Sequence, residues 1–207
     1  MWPDELASTS YKDTLINYFT TMDRLFLKLL EFLAIGLGLD KDYLVQKCNQ
    51  NHENLRLLHY PSLNDPNRVR GNIHTDFGVL TLLVQDSVGG LKVKHMDGSW
   101  ISVTPRPGSI VVNVGDMLMR WSNDKFKATL HQVVPPGESQ SAGTDTSSDI
   151  IIPERYSIAF FCNANRDATI ECLETCCKDT LPKYKPINSH EYLTQRLVAT
   201  INPETTK

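Results

Sequence analysis

Two residues in the stretch GNIHTDFGVLTLLVQD, His74 and Asp76, stand one residue apart at the head of a strand-forming run. In a strand or at its immediate end, side chains two apart face the same side, so this imidazole and this carboxylate can point at one ion. A third ligand has to come from elsewhere in the chain. Of the remaining histidines, His131 in TLHQVV, on a later strand-like run, is the best placed. Two imidazoles and one carboxylate on one face of an octahedron leave positions open for substrate and dioxygen, the pattern of mononuclear non-haem iron(II) oxygenases. With six histidines in the chain, a single H-x-D also arises by chance, and exposed polar residues are the competing reading.

The same one-residue spacing recurs in ERYSIAFF, where Arg155 and Ser157 alternate onto one face. A planar guanidinium and a hydroxyl side by side suit a single carboxylate, and arginine clamps it with two parallel hydrogen bonds where lysine supplies only a point charge. An ordinary polar strand face is the alternative. Position favours the clamp, because the pair follows His131 in order and the flanking Ile158, Phe160 and Phe161 mark a half-buried strand.

These residues need a scaffold, and apolar periodicity indicates which. From Ser10 to about Leu37, apolar residues at steps of three and four predict one long amphipathic helix, with a capping box at Ser10 and Asp13 and a stop at Gly36 and Gly38. Asp40 is positioned to cap a short second helix running toward Asn49. From Leu55 the runs NLRLLHY, VLTLLVQD, LKVKHM, WISV, SIVVNV, TLHQVV and RYSIAFF read as strands. Asp97-Gly98 offers a two-residue hairpin turn between LKVKHM and WISV, and glycine and proline pairs punctuate the rest. Strands without long intervening helices predict a mainly β fold, an antiparallel sandwich or jelly roll with flanking helices. Asn188 and Glu191 form a second capping box, opening a helix through Tyr192, Leu193, Leu197 and Val198. The resulting division is a helical segment over 1–50, a core over 51–175 and a helical tail over 176–207. Within the core, 135–149 is too polar to order itself and reads as a flexible loop.

Composition narrows the partners. A chain of 207 residues buries roughly 70% of its unfolded surface and needs no structural metal, so a bound metal would serve chemistry. Net charge is only -3 and the basic residues are scattered, which argues against nucleic-acid and membrane surfaces and for a small-molecule substrate. No run reaches the length of a membrane span, MWPDELASTS lacks the parts of a signal peptide, and five cysteines without paired C-x-x-C spacing suit a reducing, cytoplasmic compartment. Cys172, Cys176 and Cys177 form a cluster for which a thiolate metal site is the minor alternative, since structural zinc sites usually pair cysteines at tighter, repeated spacings. Trp121, Phe77 and Phe161 are candidates for a pocket wall, with core packing the favoured role for each. Apolar helix faces at the two ends leave oligomeric state open.

The order of these elements resembles the isopenicillin-N-synthase-like branch of the 2-oxoglutarate and iron(II)-dependent dioxygenases, especially its fungal members. The resemblance runs through LRLLHYP, GNIHTDFGVLTLLVQD, GGLKV, PRPGSIVVNVGDML, LHQVV, RYSIAFF and EYLTQRL, about three quarters of the chain. It implies a double-stranded β-helix, with His74, Asp76 and His131 as iron ligands. It further implies that Arg155 and Ser157 hold the distal carboxylate of 2-oxoglutarate, and that Tyr60 in HYP adds a hydroxyl. The implied activity is oxidation, usually hydroxylation, of a small organic molecule with dioxygen, 2-oxoglutarate being decarboxylated to succinate and carbon dioxide. A related oxidase using the same iron ligands without 2-oxoglutarate, and a non-catalytic binding module of the same fold, are the alternative functions.

Three features depart from the family pattern. Leu58 stands where members often have asparagine, and a polar insertion separates His131 from Arg155, which costs only about 0.6 kcal/mol per doubling of loop length. In relatives the counterpart of Trp2-Pro3 lies well inside the chain, behind a section that packs on the barrel and walls the substrate pocket. The expectation is that the iron and 2-oxoglutarate sites form in this chain while substrate closure and turnover are impaired.

Overall fold

The computed structural model describes residues 10–65, 68–135 and 151–201. Trp2-Pro3 and nearly all of the polar insertion lie outside the described residues. The periodic N-terminal run forms α1 (Ser10–Gly36), whose residues Met22, Phe26, Leu30 and Ala34 recur every four positions on one buried face. The capping position before Ser10 is also outside the described residues. At the other end, Leu39 N–H bonds to Ala34 O (2.9 Å) and Gly38 N–H to Ile35 O (3.0 Å). With Gly38 at φ +72°, this is the glycine-terminated stop that the sequence predicts. The following helix, α2 (Tyr43–Gln46), is shorter than expected: Asp42 occupies its N-cap without a side-chain bond, and Asp40 contributes only its carbonyl, to Tyr43 N–H (3.0 Å).

Among the described residues the β-rich region supplies ten strands: β1 (Asn54–Tyr60), β2 (Gly71–His74), β3 (Leu80–Gln85), β4 (Leu91–Lys94), β5 (Trp100–Ser102), β6 (Val111–Val114), β7 (His131–Val133), β8 (Arg155–Cys162), β9 (Thr169–Ile170) and β10 (Ile187–Asn188). Two antiparallel four-stranded sheets, ordered β1-β8-β3-β6 and β2-β7-β4-β5, form the double-stranded β-helix. One short pair, β9 with β10, stands apart from them. Period-two alternation divides the labour of β8: Phe160 and Cys162 join α1 in the core, while Arg155, Ser157, Ala159 and Phe161 face the space between the sheets. Phe19 of α1 meets Phe160 edge-on, with centroids 5.0 Å apart. The helix thus covers the outer side of one sheet and leaves its inner side to the cavity.

Three local details differ from the sequence reading. GNIH forms its own strand, because the chain bends between Asp76 and Gly78 before β3. Residues 95–99 make a five-residue connection in which Gly98 alone takes positive φ (+88°) and Asp97 Oδ1 accepts Ser99 N–H (2.8 Å), in place of a two-residue turn. DMLMRW, to which the sequence reading assigned no element, forms helix α3 (Asp116–Trp121). In the second capping box, Asn188 Oδ1 accepts Glu191 N–H (3.1 Å) at the start of α4 (Ser189–Ile201), while Glu191 Oε1 instead accepts from Gln195 (3.0 Å). Among the described residues no helix is long and apolar enough to cross a membrane.

The bend at Asp76–Gly78 is clamped by the start of α3. Asp116 N–H donates to Asp76 O (2.8 Å) and Met117 N–H to Gly78 O (2.9 Å), so two end groups of a helix find partners in the turn. Helix α4 braces the same place: Tyr192 Oη donates to Asp116 Oδ2 (3.1 Å), Arg196 pairs with that oxygen (3.3 Å), and its guanidinium lies 4.7 Å from the Phe77 ring centroid. A Cβ on Gly78 would collide with the Cys162 carbonyl and stand 2.6 Å from Asn163 Oδ1. We expect Gly78→Ala to destabilise the protein by about 1–3 kcal/mol in urea unfolding, as overpacked positions do. Gly36→Ala, with open space around its Cβ, should be neutral in the same assay.

Glu53 is buried beside the α1 contact, and neither of its carboxylate oxygens has a hydrogen-bond partner among the described residues. Burial, reinforced by the nearby charge of Asp23, pushes its pKa up to about 7. A carboxyl group with a raised folded-state pKa leaves stability intact below its ordinary value of 4.5, and stability is lost as pH rises through about 7. Thermal unfolding at pH 5 and pH 8 should show Glu53→Gln raising the midpoint mainly at pH 8 and flattening the slope between them. An unchanged slope would mean that Glu53 is solvated.

Candidate active site

Antiparallel pairing of β2 with β7 places His74 directly opposite His131. Their ring centroids are 4.2 Å apart and tilted by 53°. Each ring is oriented by a main-chain carbonyl two residues upstream: His74 Nδ1 lies 2.7 Å from Asn72 O and His131 Nδ1 2.9 Å from Thr129 O. A carbonyl can only accept, so Nδ1 carries a proton in both rings, and in the neutral imidazole each Nε2 then keeps its lone pair. Both Nε2 atoms lie 3.8 Å from Asp76 Oδ1. That distance is too long for a hydrogen bond and leaves the three atoms facing a common point.

The carboxylate is oriented by the same logic. Asp76 is only 6% exposed, and its Oδ2 accepts from Thr81 Oγ1 (2.7 Å) and Asn113 Nδ2 (2.9 Å). Oδ1 is thereby turned toward the imidazoles. Within this trio, one ligand atom from each residue lies within 4.8 Å of the others, and among the described residues no other group of three or more His, Cys, Asp and Glu could hold a metal ion. The donor set suits a divalent transition ion such as iron(II), since two neutral imidazoles and one carboxylate match it in charge and ligand type. The side chain of His131 is 13% exposed and that of His74 49%, so the trio opens to solvent on the His74 side.

The trio lines a cavity of about 530 Å³ between the sheets. Across β1 and β8, Tyr60 pairs with Arg155 and Leu58 with Ser157. Arg155 is 1% exposed and makes three hydrogen bonds to neutral acceptors: Nε to Gly89 O (2.8 Å), Nη1 to Ser157 Oγ (3.0 Å) and Nη2 to Gln85 Oε1 (3.2 Å). Its guanidinium also stacks on the Tyr60 ring, 4.9 Å from the centroid. Burial pushes its pKa below the ordinary arginine value, with Tyr60 and Asp86 opposing and Arg70 reinforcing the shift. A buried cation with neutral partners is suited to receiving an anion, and the apolar walls of Leu83, Val93, Val103 and Val111 limit competing water.

All six candidate site residues, His74, Asp76, His131, Arg155, Ser157 and Tyr60, line this one cavity. Phe161 lines it too, Trp121 is wholly buried in the core, and Phe77 packs under Arg196. The five cysteines are free, and Cys176 is part of the core. Sequence reasoning missed Thr81, Asn113 and the carbonyls behind the two histidines. Asn113 carried a signal, since it is the one amide within the apolar run SIVVNV. Thr81 carried none, because threonine is ordinary in a strand.

The 2OG-Fe(II) oxygenase superfamily model matches residues 48–164. The 2-oxoglutarate-Fe(II) type oxidoreductase ppzD of Metarhizium majus is 34% identical over 207 residues, covering 96% of this chain and 57% of that protein. The corresponding oxidoreductase hxnY of Emericella nidulans is 36% identical over 193 residues, covering 90% and 51%. A full-length Neurospora crassa protein, solved as a crystal structure in complex with alpha-KG, matches with a TM-score of 0.83 and 40% identity, over 96% of this chain and 60% of that one. The chain therefore spans little more than half the length of these relatives. The match covers both sheets and every strand that lines the cavity, and the chain belongs to the 2OG-Fe(II) oxygenase superfamily.

Proposed function

We propose that this chain carries the oxidising centre of an iron(II)- and 2-oxoglutarate-dependent dioxygenase that hydroxylates or otherwise oxidises a small organic molecule. The observation that carries the reading is the convergence of three ligand atoms whose companion atoms are already hydrogen-bonded. His74, Asp76 and His131 would hold the iron, and Arg155 and Ser157, with Tyr60 beside them, would hold 2-oxoglutarate. When bound, iron and 2-oxoglutarate couple the reduction of dioxygen to oxidative decarboxylation, giving succinate and carbon dioxide, and to oxidation of a substrate C–H bond.

The protein's own groups have separate tasks in this reading. The Nδ1–H bonds hold both imidazoles in the ligating tautomer, and Thr81 and Asn113 keep Asp76 from rotating. Arg155 and Ser157 select a dicarboxylate by meeting its far end, which anchors the reacting end at a set distance. A small-molecule substrate suits a cavity of this volume, and the complex of the same Neurospora crassa protein with alpha-KG and thymine supports that class. The division into helical segment (1–50), core (51–175) and helical tail (176–207) belongs to the same proposal, supported by the buried face that α1 packs on the core. So does a cytoplasmic setting, supported by five free thiols.

Anaerobic addition of 2-oxoglutarate to the iron(II)-loaded protein should produce a weak visible charge-transfer band, and succinate should form in step with oxygen uptake once substrate is supplied. A folded, iron-loaded protein that gives no band would overturn the cosubstrate assignment. His131→Ala should abolish iron binding. Asn113→Ala should weaken it roughly 10- to 100-fold in a chelator competition, since it removes a hydrogen bond that orients a ligand.

A further inference from the structure

Two further arginines line the cavity beside Arg155, the exposed Arg56 and the half-buried Arg70, and the proposed chemistry uses neither. Arg70 immediately precedes β2, is fixed to β7 by its main-chain N–H bond to Val133 O (2.9 Å), and turns its side chain into the cavity lining. Its Nη2 donates to Pro61 O (3.1 Å) and Pro153 O (2.8 Å). Pro61 follows Tyr60, Pro153 stands two residues before Arg155, and Tyr60 and Arg155 are register partners. The guanidinium of Arg70 is thus bracketed by the chain segments that carry the Tyr60–Arg155 pair.

The other end of this guanidinium is uncommitted. Nε and Nη1 of Arg70 are buried and donate to nothing among the described residues. Buried donors of a charged group left unpaired are costly, and native structures leave few of them without a reason. The charge of Arg70 also acts unfavourably on Arg155, which has only neutral hydrogen-bond partners of its own. One anion between the two would supply acceptors for the idle N–H groups and offset the mutual repulsion.

We propose that Arg70 is a second carboxylate-binding residue of the cavity, acting with Arg155 on the distal carboxylate of 2-oxoglutarate. This rests on the reading of 2-oxoglutarate as cosubstrate. Through Nη2 the same side chain also ties Pro61 to Pro153, so a test must separate direct binding from bracing. The bracing role treats all ligands of the cavity alike, whereas direct binding acts only on those with a far carboxylate.

The experiment compares 2-oxoglutarate with 2-oxopentanoate, which keeps the 2-oxo acid head and chain length and carries a methyl in place of the far carboxylate. Binding to the manganese(II)-loaded 207-residue chain is measured by calorimetry without oxygen, alongside manganese affinity and thermal unfolding. Arg70→Gln should weaken 2-oxoglutarate roughly 10- to 100-fold, the range for a lost hydrogen bond to a charged group, and leave 2-oxopentanoate unchanged. Arg70→Lys, which keeps the charge and protects against a folding failure, should show a smaller loss with the same selectivity. Equal weakening of both ligands, or no weakening of 2-oxoglutarate, overturns the proposal. A wild-type protein that does not prefer 2-oxoglutarate over 2-oxopentanoate overturns the cosubstrate reading instead, and the two failures are distinct.

Discussion

The site depends on the register between β2 and β7. That pairing sets His74 against His131 across an antiparallel ladder, with Asp76 just beyond the end of β2. Backbone carbonyls at Asn72 and Thr129 then accept a hydrogen bond from the Nδ1–H of each ring, leaving both Nε2 atoms on the side that faces Asp76. A slip of one residue would turn every side chain of a strand to the opposite face and separate the three ligand atoms. The register shifts once between the two pairs of this ladder, Gly71 with Val133 and His74 with His131, and Gly71 fits closely against the buried Val133.

Around that ladder, the parts of the molecule that touch no ligand determine where the carboxylate points. Asp76 sits in a bend whose carbonyls are claimed by the first N–H groups of α3, and α3 is in turn held by Tyr192 and Arg196 of α4 through Asp116. Gly78 and Gly115 allow these segments to approach within distances no side chain would permit. The C-terminal helix therefore belongs to the support of the proposed metal ligands, although none of its described residues lines the cavity.

The cavity lining mixes charge and apolar surface: the converging atoms of His74, Asp76 and His131 share it with the buried guanidinium of Arg155, with Arg70, and with valines and leucines. In a low-dielectric space charge interactions are much stronger than in water, so in the proposed reading this lining would favour a molecule with a chelating head and a negative far end. Strand β8 lends Arg155 and Ser157 to this inner face while its other face anchors α1, which couples the site to the hydrophobic core.

The one-residue spacings H-x-D and R-x-S were legible because a strand repeats every two residues, a property of the backbone that needs no knowledge of partners. The long helix and the main strands were legible for the same reason, each having its own apolar period. Helix α3 was not, since six residues with apolar groups on several sides carry no period. The bend that splits β2 from β3 escaped because GNIHTDFGVL reads as one extended run. Sequence by itself therefore determined which side chains share a face and what chemistry their types permit. Only the tertiary structure decided that Asn72, Thr129, Thr81 and Asn113 orient the proposed ligands and that Arg70 reaches the Pro153 carbonyl two residues before Arg155, because hydrogen bonds between distant segments depend on register and packing, and neither is written in local periodicity.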